Sequence, residues 1–407
     1  MIISEAQVLS RRRGYLILGT AGLLFVGVIY AWAILKEPLA QEFSWTPSQL
    51  AFNYTLTMLA NCLGNLIAGG LSSKIPRQSI IAGSATLLSL GFILSSTLTG
   101  ESIIRLYMYY GCMCGLGIGT YTVAINSVVG DWFPDKKGLC SSLLQIGFGS
   151  SALIIGNVAN RFIHMPGVGW RKVYLALGIL TGLTLYLVAF LVKSPGPGAS
   201  LPAGKDLEKG PLEGGAELAP FQMIRRSGFR RYYVFCFLIY CIGTTVIGLA
   251  TDFFYGIHAA PSTAVLLVGL ISICNLLGRF SVGLVFDRFG RDKVLLYAAS
   301  LVSVGTLFLV VAFLLKSIFV IAVAVCLIGT AYGSIPSSTS PIIREAYGNR
   351  NFTSNYSIAL TSGMPASLMP TIAGMILTCK GSYYGIFALF GVFCVAAWIL
   401  YFKIRQL

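Results

Sequence analysis

Charge is scarce in this chain. Only 11% of its residues are Asp, Glu, Lys or Arg, and just 14 of 407 are acidic, against roughly a quarter charged in an ordinary soluble protein. A water-facing surface cannot be covered with so little, so most of the outside must face lipid. Long polar blocks are missing as well. Apolar stretches recur from residue 14 to residue 403, which excludes a single span carrying a large soluble domain. Histidine is limited to His164 and His258, and no second cysteine pair accompanies Cys112 and Cys114. Neither a zinc cluster nor a nucleophile with its base can be assembled from that set, so no enzyme, metal or cofactor is expected. The formal net charge of +15 would suggest nucleic acid, but the basic residues sit in short loops. That is a topology signal, and no nucleic-acid partner is expected.

What is present is a series of runs long enough to cross a bilayer at about 20 residues each. They fall near 14–35, 49–72, 78–98, 103–129, 138–162 and 172–192, then 231–255, 262–286, 293–314, 317–342, 351–377 and 382–402. These are continuously apolar, whereas barrel strands alternate over about ten residues. The expected fold is an all-α membrane protein of twelve transmembrane helices, numbered helix 1 to helix 12 in that order. Residues 1–192 are expected to form one six-helix bundle, 193–230 a cytoplasmic linker opening on Ser194-Pro195-Gly196-Pro197-Gly198, and 231–407 a second bundle. The first run follows Arg11, Arg12 and Arg13 and contains Ala31-Trp32-Ala33, so a cleaved signal peptide is the competing reading. Its apolar run exceeds the usual length of about 7 to 15 residues, and its tyrosines and tryptophan suit an anchored helix, so it is expected to stay attached. With the N-terminus inside, 21 of the 29 Lys and Arg lie in inside loops and tails and seven lie outside. That bias places both termini in the cytoplasm of a multi-pass protein of the cell (inner) membrane, expected to act as a monomer in the bilayer.

The two halves repeat. The loop after helix 2 reads Gly69-Gly70-Leu71-Ser72-Ser73-Lys74-Ile75-Pro76-Arg77, and 214 residues later the loop after helix 8 reads Gly283-Leu284-Val285-Phe286-Asp287-Arg288-Phe289-Gly290-Arg291. Parallel six-helix repeats are a transporter layout. The second loop fits the G-x-x-x-D-R-x-G-R pattern and so resembles the major facilitator superfamily. Physically, Asp287 can serve a helix N-terminus while Arg288 and Arg291 meet carboxylates or helix C-terminal carbonyls, latching the cytoplasmic side. In the first copy Ser73 stands where the Asp is expected, so the latch should be asymmetric. Trp132-Phe133-Pro134-Asp135-Lys136-Lys137-Gly138-Leu139, together with Tyr30-Ala31-Trp32, Arg279 and the stretch from Tyr332 to Ser338, resembles the oxalate/formate antiporter family and the monocarboxylate transporters.

Arg279 is the most informative residue. A guanidinium at membrane depth costs about 2.5 to 3.5 kcal/mol even on mild scales, and no acidic residue stands three or four positions from it on helix 8. Snorkelling to the interface is the bland alternative, but about two turns of helix, through Phe280 and Phe286, still follow. A planar fork that donates two parallel hydrogen bonds suits a carboxylate. Asn275, one turn earlier, shares its face and could donate to the same group.

The resemblance adds three expectations. In animal monocarboxylate transporters the position of Asn275 is an Asp that can carry a proton, so a protonatable partner is missing here. The lysine that the oxalate/formate antiporter carries on helix 11 falls at Ala359, leaving one fixed positive charge and favouring a monoanion over a dianion. The aromatic lining of the family corresponds to Tyr30, Tyr121, Phe148, Tyr332 and Tyr356, whose hydroxyls can bond a carboxylate while their rings exclude water. Pro336, Pro341, Pro365 and Pro370 in helices 10 and 11 are either static kinks or gating joints, and Gly115, Gly117 and Gly119 in helix 4 suit close helix packing. The expected function is secondary active transport of a small monocarboxylate such as lactate, formate or acetate by alternating access, coupled to protons. The alternative is an oxalate/formate-type exchange against a counter-anion. The expected site is Arg279, Asn275, Tyr30, Tyr121, Phe148, Tyr332 and Tyr356, with Asp287, Arg288 and Arg291 as gating residues.

Overall fold

The computed structural model describes residues 5–99, 102–196, 201, 217–258, 260–380 and 382–405. Within the expected linker, residues 197–200 and 202–216 lie outside the described residues. Among the described residues the secondary structure is helical, without a strand. Among the described residues ten helices are long and apolar enough to cross a membrane; one of them covers two expected crossings, and helix 2 completes the twelve. Helices 8 and 9 run together as Pro261–Leu315, divided only at Gly290, whose φ of 77° and ψ of −176° are accessible to glycine alone. Helix 2, Pro47–Leu71, has the length to cross at 25 residues, but Asn53, Asn61 and Asn65 make it less apolar than the rest. The chain is a multi-pass membrane protein.

Two compact units emerge. The first is Met1–Ala216 with Gly348–Ile358, and the second is Glu217–Tyr347 with Ala359–Leu407. In the first unit, helix 1 is α-helical over Glu5–Val26, tightens to a 3-10 stretch over Gly27–Ala31, and resumes over Trp32–Phe43. A reciprocal cap starts helix 2. Thr46 Oγ1 accepts the Gln49 amide at 3.3 Å, and Gln49 Oε1 accepts the Thr46 amide at 2.9 Å. Helices 3 and 6 are Arg77–Ser96 and Gly169–Leu191. Helix 4, Ile103–Gly130, is π-wound over Tyr107–Cys114, and helix 5, Lys137–Ile163, is π-wound over Ala152–Gly156. The helix 4 glycines serve two neighbours. A Cβ at Gly115 or Gly119 would lie 2.6 Å from Thr57 O or 2.0 Å from Asn61 O on helix 2, and one at Gly117 would lie 2.7 Å from Leu88 Cγ on helix 3. The opening of helix 11 joins this unit through Ser127 Oγ to Thr353 Oγ1 at 2.7 Å and Ser354 Oγ to Gly69 O at 2.6 Å.

Three arginines near the helix ends of this unit are paired. Arg12 donates two parallel hydrogen bonds to Asp135, at 3.0 and 2.8 Å, and its guanidinium lies 4.5 Å from the Phe133 ring centroid. Arg77 pairs with Asp131, and Trp132 Nε1 donates to Lys193 O at 2.7 Å. At the other end, Glu42 accepts from Trp170 Nε1 at 2.6 Å and pairs with Arg171 at 2.7 Å. The hydrogen bond from Arg171 holds the Glu42 carboxyl below its usual range, against a smaller upward push from burial.

In the second unit a short helix, Pro220–Arg225, falls within the expected linker and precedes helix 7, Ser227–Gly248. The prolines behave differently in helices 10 and 11. Helix 10, Ile318–Tyr347, runs through Pro336 and Pro341 without interruption. Helix 11 is broken into Phe352–Leu360, Gly363–Ala366 and Met369–Lys380 around Pro365 and Pro370. Hydroxyls take carbonyls at the breaks, Ser362 Oγ on Ala359 O at 2.8 Å and Ser367 Oγ on Met364 O at 2.6 Å. Helix 12 is Tyr384–Arg405.

Candidate substrate-binding site

Arg279 is buried, with 2% of its surface exposed, eleven residues before Gly290 on helix 8. Its Nε donates to Asn275 Oδ1 at 3.2 Å, so the neutral amide helps to orient the guanidinium. Helix 10 fixes the amide from the other side. A Cβ at Gly333 would stand 2.0 Å from the Asn275 carbonyl oxygen and 2.7 Å from Oδ1, and one at Gly278 would stand 2.1 Å from Thr330 O. Glycine on each helix therefore lets the two backbones touch where the arginine is held.

Tyr332, next to Gly333 on helix 10, meets Tyr240 of helix 7 edge-on, with ring centroids 5.6 Å apart at 74°. Gly243 makes room, since its Cβ would lie 2.5 Å from Tyr332 Cδ2. Tyr240 was not among the expected site residues. The one trace of it in the sequence is a tyrosine one turn before a glycine on helix 7, a spacing too common to single out.

In the first unit Tyr30 and Phe148 meet edge-on at 5.3 Å and 82°. Tyr30 lies in the 3-10 stretch of helix 1, and Phe148 lies four residues before the π stretch of helix 5. Departures from α-winding within a helix are frequent at functional sites. Tyr121 is fully buried and points at Gly22, where a Cβ would lie 1.8 Å from its hydroxyl. That hydroxyl has no hydrogen-bond partner among the described residues. Gly22 is eight residues from Tyr30, about 12 Å along the helix. Tyr356 is buried and stacks on Phe352, with centroids 5.3 Å apart and planes at 10°. The expected residues thus divide, with Tyr30, Tyr121, Phe148 and Tyr356 in the first unit and Asn275, Arg279 and Tyr332 in the second.

The expected gating residues surround the Gly290 break. Asp287 lies in the last turn of helix 8, so any helix N-terminus it serves is not that of its own helix. Arg288 lies 5.2 Å from the Phe289 ring centroid, and Arg291 Nε lies 3.6 Å from its neighbour Asp292. In the first repeat, Ser73 Oγ bonds Gly70 O at 3.3 Å, and Arg77, the counterpart of Arg291, pairs with Asp131. That pairing partner comes from the loop between helices 4 and 5, not from the motif. Among the described residues no group of His, Cys, Asp and Glu could hold a metal ion.

The family model of the Major Facilitator Superfamily matches residues 16–367 and 233–406. An uncharacterised transporter of that superfamily, YhjX of Escherichia coli K12, is 28% identical over 357 residues, 86% of this chain and 84% of its own. The oxalate:formate antiporter of Oxalobacter formigenes is 26% identical, covering 85% of this chain and 81% of its own. Human monocarboxylate transporter 2 is 21% identical, covering 95% and 84%. These relatives include both families that the loop motifs resemble. Among solved structures, the proton:xylose symporter XylE bound to 6-bromo-6-deoxy-D-glucose superposes with a TM-score of 0.72 at 16% identity, over 97% of this chain and 96% of that one, which shows the shared fold. The chain belongs to the Major Facilitator Superfamily and is a transporter.

Proposed function

We propose that this transporter carries small monocarboxylate anions, of the size of formate, acetate or lactate, by alternating access in the cell (inner) membrane, with both termini cytoplasmic and as a monomer. The observation that carries the reading is a buried arginine in a membrane helix whose Nε donates to the amide oxygen of Asn275. A guanidinium carries one positive charge, and a monoanion matches it. A dianion would retain about one uncompensated charge in a low-dielectric site, a costly arrangement. Ala359, the position of the antiporter's lysine by the motif match, brings no second charge. The planar fork of a guanidinium suits a carboxylate, to which it can donate two parallel bonds. Tyr332 with Tyr240 would flank the small apolar tail, and Tyr30, Phe148, Tyr121 and Tyr356 are the further substrate-binding residues of this reading. Asp287, Arg288 and Arg291 would latch the cytoplasmic end.

Coupling is to protons in this reading, with the proton taken up after the anion has bound, by its carboxylate beside Arg279 or by a group nearer the outer rim such as Asp252. Exchange against a counter-anion is the second reading, and Asn275 favours it, because an amide cannot take up a proton. Uptake of radiolabelled formate, acetate and lactate into proteoliposomes tests both. An inward proton gradient should drive uptake. Uptake indifferent to that gradient but stimulated by internal formate or oxalate would establish exchange, and uptake of none of the three would overturn the substrate class.

A further inference from the structure

Helix 2 carries a polar ladder at four-residue steps, Asn53, Thr57, Asn61 and Asn65, spanning about 18 Å. Helix 4 answers with glycines at the same step, Gly111, Gly115 and Gly119. A Cβ at Gly111 would lie 3.0 Å from Asn53 Oδ1, one at Gly115 2.6 Å from Thr57 O, and one at Gly119 2.0 Å from Asn61 O. Buried polar groups between membrane helices usually hold them together by hydrogen bonding. Thr57 is satisfied, since its hydroxyl bonds Asn53 O at 2.7 Å. Asn53 breaks the rule. It is fully buried, and neither atom of its amide has a partner among the described residues or any surface open to a water molecule. The hydroxyl of Tyr110, also buried, shares that condition one residue from Gly111. An amide left unbonded in a membrane interior destabilises the arrangement that contains it, so Asn53 does not act as glue here.

Both Tyr110 and Gly111 lie in the π-wound stretch Tyr107–Cys114. A π turn holds close to one residue more than an α turn, and its relaxation to α rotates the residues it crosses by about 100°. Such a rotation would swing Gly111 off the Asn53 amide and re-aim the Tyr110 hydroxyl. The rest of the seam would not resist it, because Gly115 and Gly119 offer no side chains to interlock. We propose that the Tyr107–Cys114 stretch of helix 4 exchanges between a π and an α register against helix 2 during transport, and that Asn53 and Tyr110 find their hydrogen bonds in the α register. The structure holds the π register, in which both are unpaired.

The test uses the full chain, purified and reconstituted, with the near-isosteric Asn53→Leu. Removing an unpaired amide stabilises the register in which it is unpaired, so three results are expected. The melting temperature rises, amide hydrogen exchange over residues 107–114 slows at least about threefold, and formate uptake falls at least about threefold. Asn53→Ala should change exchange and uptake in the same direction if leucine does not fit. Thr57→Val removes a hydroxyl that is already bonded and should slow neither. A lower melting temperature with faster exchange in both Asn53 variants would mean that the amide is partnered, and unchanged exchange or unchanged uptake would mean that no second register operates. Each of those outcomes overturns the proposal. If the wild type carries no formate, the reading of the arginine site fails, while melting and exchange still decide the two registers.

Discussion

Arg279 Nε gives its hydrogen to Asn275 Oδ1 at 3.2 Å, one turn back on the same helix. A neutral group thus occupies the place where a carboxylate would make an ion pair. Asn275→Asp should therefore place a negative charge beside Arg279 at pH 7. The new carboxylate would compete with the substrate for the guanidinium until it is protonated. Substrate affinity is expected to fall about tenfold at neutral pH and to recover as the pH falls and the carboxylate is protonated. Uptake measured from pH 5 to pH 8 checks this. A variant with the wild-type pH profile would show that Asn275 is not beside the bound anion.

Gly333→Ala tests how that pair is held. The added methyl would meet the Asn275 carbonyl at 2.0 Å, and since backbone cannot give way, helices 8 and 10 must part. Overpacking of this kind costs about 1 to 3 kcal/mol. The expected result is a lower melting temperature together with a weaker substrate affinity, read by denaturation and by the concentration dependence of uptake.

Arg12 and Asp135 are largely buried, at 7% and 17% side-chain exposure, and bidentate. Asp135→Ala leaves Arg12 without its partner and should cost about 3 kcal/mol. Exchanging the two residues should restore only part of that loss, because Arg12 also stacks on Phe133. Melting of the two single variants and the swapped pair completes the cycle.

The twelve helices were legible because lipid demands long apolar runs, and because the loop motif marks the turn between helices 8 and 9. Arg279 was legible because a charge is conspicuous at membrane depth. Its relation to Asn275 followed from four-residue spacing on one helix. Helix 2 was legible despite its amides, but their alignment with glycines on helix 4 was not, since it depends on which faces pack. The same limit applies to Tyr240, whose place beside Tyr332 is set by Gly243 on one helix and by the path of another. The arginines of the basic loops read as a topology signal, yet Arg12 and Arg77 also pair with Asp135 and Asp131. Those partners lie at separations that no local pattern reveals.

Glu42 offers a pH prediction. Its carboxyl is held below the usual range by Arg171, so the pair contributes stability above the unfolded-state value near 4.5 and loses it as the pH falls through the lower folded-state value. Both side chains are over 40% exposed, and such a pair contributes about 0.2 to 1 kcal/mol. Glu42→Gln should melt slightly below the wild type at pH 7, and the gap should close in acid. Added salt should narrow it as well.

The charge count predicts that Ala359→Lys shifts selectivity from monocarboxylates toward dicarboxylates, because a second cation offsets a second carboxylate. Ala359 is buried, so a folded variant must place the ammonium group beside a counter-charge. Competition of oxalate against formate uptake reads the shift, and an unchanged profile would mean that residue 359 does not face the substrate.

Uptake by Arg279→Lys and Arg279→Ala in proteoliposomes measures most directly whether Arg279 holds the anion. Lysine keeps the charge but loses the fork, so Arg279→Lys should lower uptake at least about tenfold, equivalent to about 1.4 kcal/mol, and Arg279→Ala should abolish it. Near-normal uptake by a folded, membrane-inserted Arg279→Ala would contradict the anion site.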